Sequence, residues 1–203
     1  MDTGTLLTNG GGTSTGAWNV ATGATLTFGG GTHNLNAGSA FSGAGTVSLT
    51  TGTLTVNGAT TSSASTLFSI SGGSFNGTGT LTVNGPLSWT GATISGAGTF
   101  NSNGEATLSG GLKTLASAGR VMNLSGTSTW SAGGIDLYFG SVLTNTVGST
   151  FTNTFSGEMR TPSDTGGTFN NAGTFTKNTS SGTTTIDPVF NNTGTSMWTP
   201  ARS

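Results

Sequence analysis

One short phrase recurs along this chain and limits its fold more than any other feature. Phe41-Ser-Gly-Ala-Gly-Thr-Val47 returns as Phe75-Asn-Gly-Thr-Gly-Thr-Leu81 and as Ile94-Ser-Gly-Ala-Gly-Thr-Phe100. Looser copies run from Leu124 to Trp130, Phe169 to Phe175 and Phe190 to Ser196. The two short steps, Phe75 to Ile94 and Phe169 to Phe190, set a unit of roughly 20–23 residues, which is the period of a solenoid. The longer steps read as pairs of turns, or as a turn carrying an insertion.

Within each copy an apolar residue enters, glycine bends the chain, and a Thr-apolar-Thr/Ser/Asn stretch follows. In Thr80-Leu81-Thr82 and Thr174-Phe175-Thr176 the alternation is strict, so one apolar side chain points inward and two hydroxyls point outward. Similar alternation runs from Thr25 to Phe28, Thr53 to Val56 and Thr150 to Phe155. No stretch holds a helix-period stripe; the nearest, Leu112 to Met122, is short and contains Gly119. The chain therefore reads as short strands separated by Gly, Asn and Ser turns.

Composition makes the same demand from another side. Gly 37, Thr 44, Ser 26 and Asn 17 fill about 61% of the 203 positions, while hydrophobic residues reach 31% and charged residues 5%. Ordinary layered domains carry roughly 45–50% apolar and 25% charged residues. So little apolar surface does not offset the entropy of ordering a layered fold. Disorder fits no better, because the formal charge is only −1 and the chain holds 11 Phe and 4 Trp. Coils stacked as a parallel β-helix satisfy both constraints. They pair along the axis at ~4.8 Å and need only one or two inward apolar residues per strand. Gly and Asn suit the corners because both tolerate left-handed backbone.

The expected fold is all-β, a parallel β-helix of about nine turns and ~40–45 Å. It forms one domain over residues 1–203, with 1–17 as an N-terminal cap and 197–203 as a tail outside the repeat. An antiparallel sandwich is the alternative, disfavoured because sandwiches rarely repeat one motif this often.

The chain has no Cys and one His, which excludes disulfides and thiolate metal sites; no metal or cofactor is expected. Near-neutral charge argues against nucleic acid and anionic membranes as partners. No apolar run approaches the ~18 residues of a membrane span. The opening Met1-Asp2-Thr3-Gly4 lacks the basic and apolar regions of a signal peptide, so an exported protein is expected here as a mature piece or fragment.

The repeat units resemble bacterial surface β-helix arrays of the autotransporter-passenger and filamentous-haemagglutinin-like adhesin type. So do Leu87-Ser-Trp-Thr-Gly-Ala-Thr-Ile-Ser-Gly-Ala-Gly98 and the related stretch from Trp130 to Ile135. The likeness covers nearly all of positions 18–196. It implies a right-handed β-helix, secretion or cell-surface display, and a structural or adhesive role toward polysaccharide or cell-surface glycan. It supplies no catalytic residues. After Thr195 the pattern breaks at Ser196-Met-Trp-Thr-Pro, and end-to-end self-association through uncapped strand edges is expected.

Candidate chemistry is sparse. Asp136, Glu158, Arg160, Asp164, Lys177 and Asp187 all fall in the last third. Asp136 to Glu158 and Tyr138 to Arg160 share one spacing of about 22 residues, within the solenoid period. One turn would thus bring carboxylate near carboxylate and phenol near guanidinium. Such a groove matches glycoside hydrolase or polysaccharide lyase chemistry, in which one acid stays protonated while the other acts as base or nucleophile. The simpler reading is that Glu158 and Arg160 pair with Asp136 on a solvated face and do nothing else. Trp89, Trp130, Tyr138 and Trp198 are candidate sugar platforms, with interior stacking favoured for Trp89 and Trp130. An outward hydroxyl column of Thr46/Ser48, Thr80/Thr82, Thr99/Asn101 and Thr174/Thr176 raises ice binding as a further alternative. Gly12-Thr-Ser14-Thr-Gly16 matches a nucleophile-elbow pattern, but such a match arises by chance here and His33 is expected in a surface turn.

Overall fold

The computed structural model describes residues 3–117, 119–162, 165–178 and 182–198. Among these there is no helix, and 28 short strands form three parallel sheets. Each sheet takes every third strand: sheet A has ten, sheets B and C nine each. The chain thus winds as about nine three-sided coils, a parallel β-solenoid. Residues 3–17 hold Thr5–Thr8 and Gly12–Ser14, which open sheets A and B, while Thr195–Trp198 is the outermost strand of sheet A. Residues 199–203 lie outside the described residues.

The six copies of the repeat occupy two different corners. Those at Phe41, Leu124, Phe169 and Phe190 turn from sheet C into sheet A; those at Phe75 and Ile94 turn from sheet B into sheet C. The long steps from Phe41 to Phe75 and from Ile94 to Leu124 are therefore changes of corner, not insertions.

Stacking is what calls for glycine at these corners. A Cβ on Gly98 would stand 2.1 Å from the carbonyl oxygen of Gly79 directly beneath it. Gly77 combines a φ of +110° with an equally close approach to the Val56 carbonyl. The backbone passes too near the previous coil to leave room for a side chain.

Alternating positions of the strands between Thr25 and Lys177 fill a single interior, whose buried apolar residues run from Val20 to Phe175. Aromatic rings run along it edge to face: Phe28 on Phe41, Phe41 on Phe68, Phe68 on Phe100 and Phe100 on Phe75, with centroids 5.3–6.4 Å apart. Trp89 and Trp130 are fully buried in this interior. Packing of this kind adds to simple area burial. It also explains how few apolar residues suffice, since each contacts the coils above and below.

Candidate functional site

Sheet B carries an outward column of Thr32, Thr53, Ser74, Thr93 and Thr114 on successive coils. The next residue in that column is Asp136, followed by Arg160. Asp187 continues it, one position past the last registered pair of the following coil. A hydroxyl ladder thus becomes an acid–base–acid run.

Asp136 and Arg160 form a two-pronged ion pair. Nε donates to Oδ1 at 2.8 Å and Nη2 to Oδ2 at 3.1 Å, the fork geometry that suits guanidinium to carboxylate. The Asp136 side chain is 3% exposed and that of Arg160 41%. Hydrogen bonding to Asp136, then the charge of Asp136, raise Arg160 above its ordinary value, with smaller contributions from Glu158 and Tyr138.

This arrangement corrects the expected pairing. The coil from Asp136 to Arg160 spans 24 residues, longer than the spacing that would have set Asp136 against Glu158, so Asp136 faces Arg160 instead. Glu158 is exposed and registers with Thr185, and Tyr138 lies two positions along the strand from the ion pair. Asp136 is thus nearly buried beneath a two-pronged pairing to Arg160, an arrangement that suits an ion pair better than a carboxylate presented to a glycosidic oxygen or an attacking water. A cavity of about 500 Å³ opens over the column, lined by Leu112, Asp136, Tyr138, Arg160, Pro162 and Asp187. Asp164 lies outside the described residues.

The other sequence candidates separate. His33 is not in a surface turn; it is buried at an inward position between Gly12 and Leu54, its Nε2 3.0 Å from the Gly30 carbonyl oxygen and its ring edge-on to Phe28. It points inward because Leu35, two residues on, points inward. The Ser14 hydroxyl donates to the Gly16 carbonyl and accepts from the Trp18 indole, as a turn residue does. Burial removes Trp89 and Trp130 as sugar platforms, while Trp198 is 72% exposed.

The proposed hydroxyl column also divides. Thr46/Ser48 and Thr174/Thr176 belong to sheet A, Thr80/Thr82 and Thr99/Asn101 to sheet C. Within sheet A one column is nonetheless unbroken over eight coils: Thr27, Ser48, Ser69, Ser88, Thr107, Thr129, Thr152 and Thr176. Its companion column is interrupted at Leu67, Pro86 and Glu105.

Two cations went unnoticed in the sequence. Lys113 is buried, its Nζ donating to the carbonyls of Ser109, Gly111 and Ala132 at 2.8–3.0 Å, and burial lowers its pKa to about 8. Its parity with inward Leu115 was the available signal. Arg120 is also buried, over the Phe75 ring at 5.5 Å; its Nη2 donates to the carbonyls of Gly77 and Ser95. Its Nε and Nη1 have no hydrogen-bond partner among the described residues, and burial lowers its pKa to about 10. Both donate to corner carbonyls, and neither lines the cavity described above. No protein-family model, curated protein or solved structure matches the chain.

Proposed function

We propose that this chain is a rigid module of a bacterial exported surface protein, a β-solenoid rod that spaces or presents adhesive contacts and performs no catalysis of its own. The observation that carries this reading is continuity. Three sheets keep parallel register through about nine coils around one interior. Nine steps at ~4.8 Å give a rod of roughly 43 Å. A surface of Thr, Ser and Asn over such a rod suits a spacer, because it is wettable without carrying a strong field.

The engagement of Asp136 by Arg160 supports the non-catalytic part. A panel of polysaccharides and aryl glycosides tests it. Turnover by the parent chain that is abolished in Glu158→Ala would overturn it; no turnover is the expected result. Exposed Leu6 and Leu7 at one end, with Val189, Phe190, Met197 and Trp198 at the other, support end-to-end association of copies as part of the same reading.

One observation favours a second reading. The hydroxyl column of sheet A runs unbroken over eight coils as a single regular row with ~4.8 Å between coils, although its companion column is interrupted. That geometry suits an ice surface. Under this reading the protein produces thermal hysteresis that Thr107→Lys and Thr129→Lys remove; a parent chain without hysteresis rejects it.

A further inference from the structure

We propose that the cavity over Tyr138, Arg160 and Asp187 is a binding subsite for a neutral saccharide; this rests on the adhesive part of the reading above and names its ligand. In a chain with 5% charged residues, three charges stand on consecutive coils of one column, where five earlier coils carry only hydroxyls. The site beside them is amphipathic. Leu112, Pro162 and the Tyr138 ring supply apolar surface, and Asp136, Arg160 and Asp187 supply the polar groups. A sugar ring has this same division, with C–H faces and a hydroxyl rim.

The hydrogen-bonding capacity left over fits hydroxyls. Arg160 spends Nε and one hydrogen of Nη2 on Asp136, so Nη1 and the second Nη2 hydrogen remain to donate. Asp187 is exposed, and its carboxylate makes no hydrogen bond or ion pair with the described residues. A donor and an acceptor thus both line the cavity, the combination that reads sugar hydroxyls. One guanidinium and two carboxylates line the cavity, with Glu158 nearby on the same strand as Arg160. This balance repels uronic, sialic or sulfated glycans and selects neutral ones.

The rim is held in place. Thr161 and Pro162 line the cavity, Tyr138 bridges Gly166, and the Gly140 amide donates to the Thr165 carbonyl at 3.2 Å. Next to Tyr138, Phe139 is 50% exposed at a φ of +53°, a left-handed conformation that bulky residues avoid. Its ring sits 5.6 Å from that of Tyr138 with a 33° tilt. Strain kept at an exposed aromatic is a mark of a recognition surface.

The test is calorimetric titration of the full chain with neutral cello-, manno- and galacto-oligosaccharides, and with oligogalacturonate as the acidic competitor. At least one neutral series binds more tightly than oligogalacturonate. Tyr138→Ala and Asp187→Ala each weaken it roughly tenfold or more, the loss of a charged hydrogen bond or a stacking face. Phe139→Gly weakens binding while melting at the same or a higher temperature, because glycine accepts the positive φ; this separates recognition from folding. Absence of neutral-sugar binding, preference for the acidic ligand, or parent-like affinity in Tyr138→Ala and Asp187→Ala would each overturn the subsite. A scattering profile of the expected rod alongside absent sugar binding would reject the subsite and leave the spacer; a profile that is not rod-like would reject the spacer itself.

Discussion

The coils from Leu67 to Leu108 and those from Val142 to Val189 solve the same packing problem in different ways. In the first region Phe68 pairs with Leu87 and Leu87 with Ala106, the tightest winding in the chain. Ser102 is the one buried polar side chain there, among Phe68, Phe75, Leu81, Trp89, Ile94 and Phe100. In the second region Val142 pairs with Thr168 and Glu158 with Thr185, across distinctly longer coils. The inward column that holds Val83 and Leu124 earlier now holds Asn145 and Asn171.

These asparagines are satisfied along the axis. Asn145 Nδ2 donates to Asn171 Oδ1 and Asn171 Nδ2 to Asn192 Oδ1, each at 2.7 Å, and both also reach corner carbonyls at 3.0 Å. Tight coils place apolar atoms everywhere within contact distance. Longer coils open the corners, and an amide that binds the next coil holds register where packing is looser. The same added length carries Thr161 and Pro162, which line the Tyr138 cavity. Uniform winding therefore makes a rod, and departure from it opens a cavity.

The sharpest way to break this comparison is to empty the tight interior. Phe100→Ala removes the ring that touches Phe68 and Phe75 and is expected to cost about 3–5 kcal/mol by denaturant titration. Asn171→Ala is expected to cost less, about 1–3 kcal/mol, because it strips a hydrogen bond from buried Asn145 rather than leaving an aromatic-sized hole. Equal costs would show that both regions are held by the same force.

Arg120 marks the passage between the regions, occupying a corner column with Gly79 and Gly98. Arg120→Met removes a buried charge with two unpartnered nitrogens, and stability is expected to rise by about 1 kcal/mol; a large loss would mean that its carbonyl contacts hold the corner.

The smallest signal is a slope. Lys113 has a pKa near 8 in the folded chain against an ordinary value of 10.5. Between those values the unfolded chain holds more protons, so folding stability should rise with pH across that window and the slope should vanish in Lys113→Met. An unchanged slope in Lys113→Met would assign it elsewhere.

Much of this was legible beforehand. Parity along Thr174-Phe175-Thr176 told which side chains turn inward, and the same rule applied to Lys113-Thr-Leu115 or Phe169-Asn-Asn171 would have placed Lys113 and Asn171 inside. An Asp136–Arg160 ion pair was legible as the simpler reading, but the register that sets Asp136 against Arg160 rather than Glu158 was not. It depends on the length of one coil, and coils range from the short Phe68–Leu87 step to the long Glu158–Thr185 step without a local sign.

From its residues alone this chain was committed to stacked parallel coils, because alternation and glycine-marked corners are local instructions, read over a few neighbours. Which coil neighbours which residue was decided only in three dimensions. Register is a sum over every loop in between, and a small shift along the strand exchanges one charged partner for another. The backbone repeat therefore followed from the order of amino acids, while the cavity of Tyr138, Arg160 and Asp187 exists only because unequal coils happened to bring those three together.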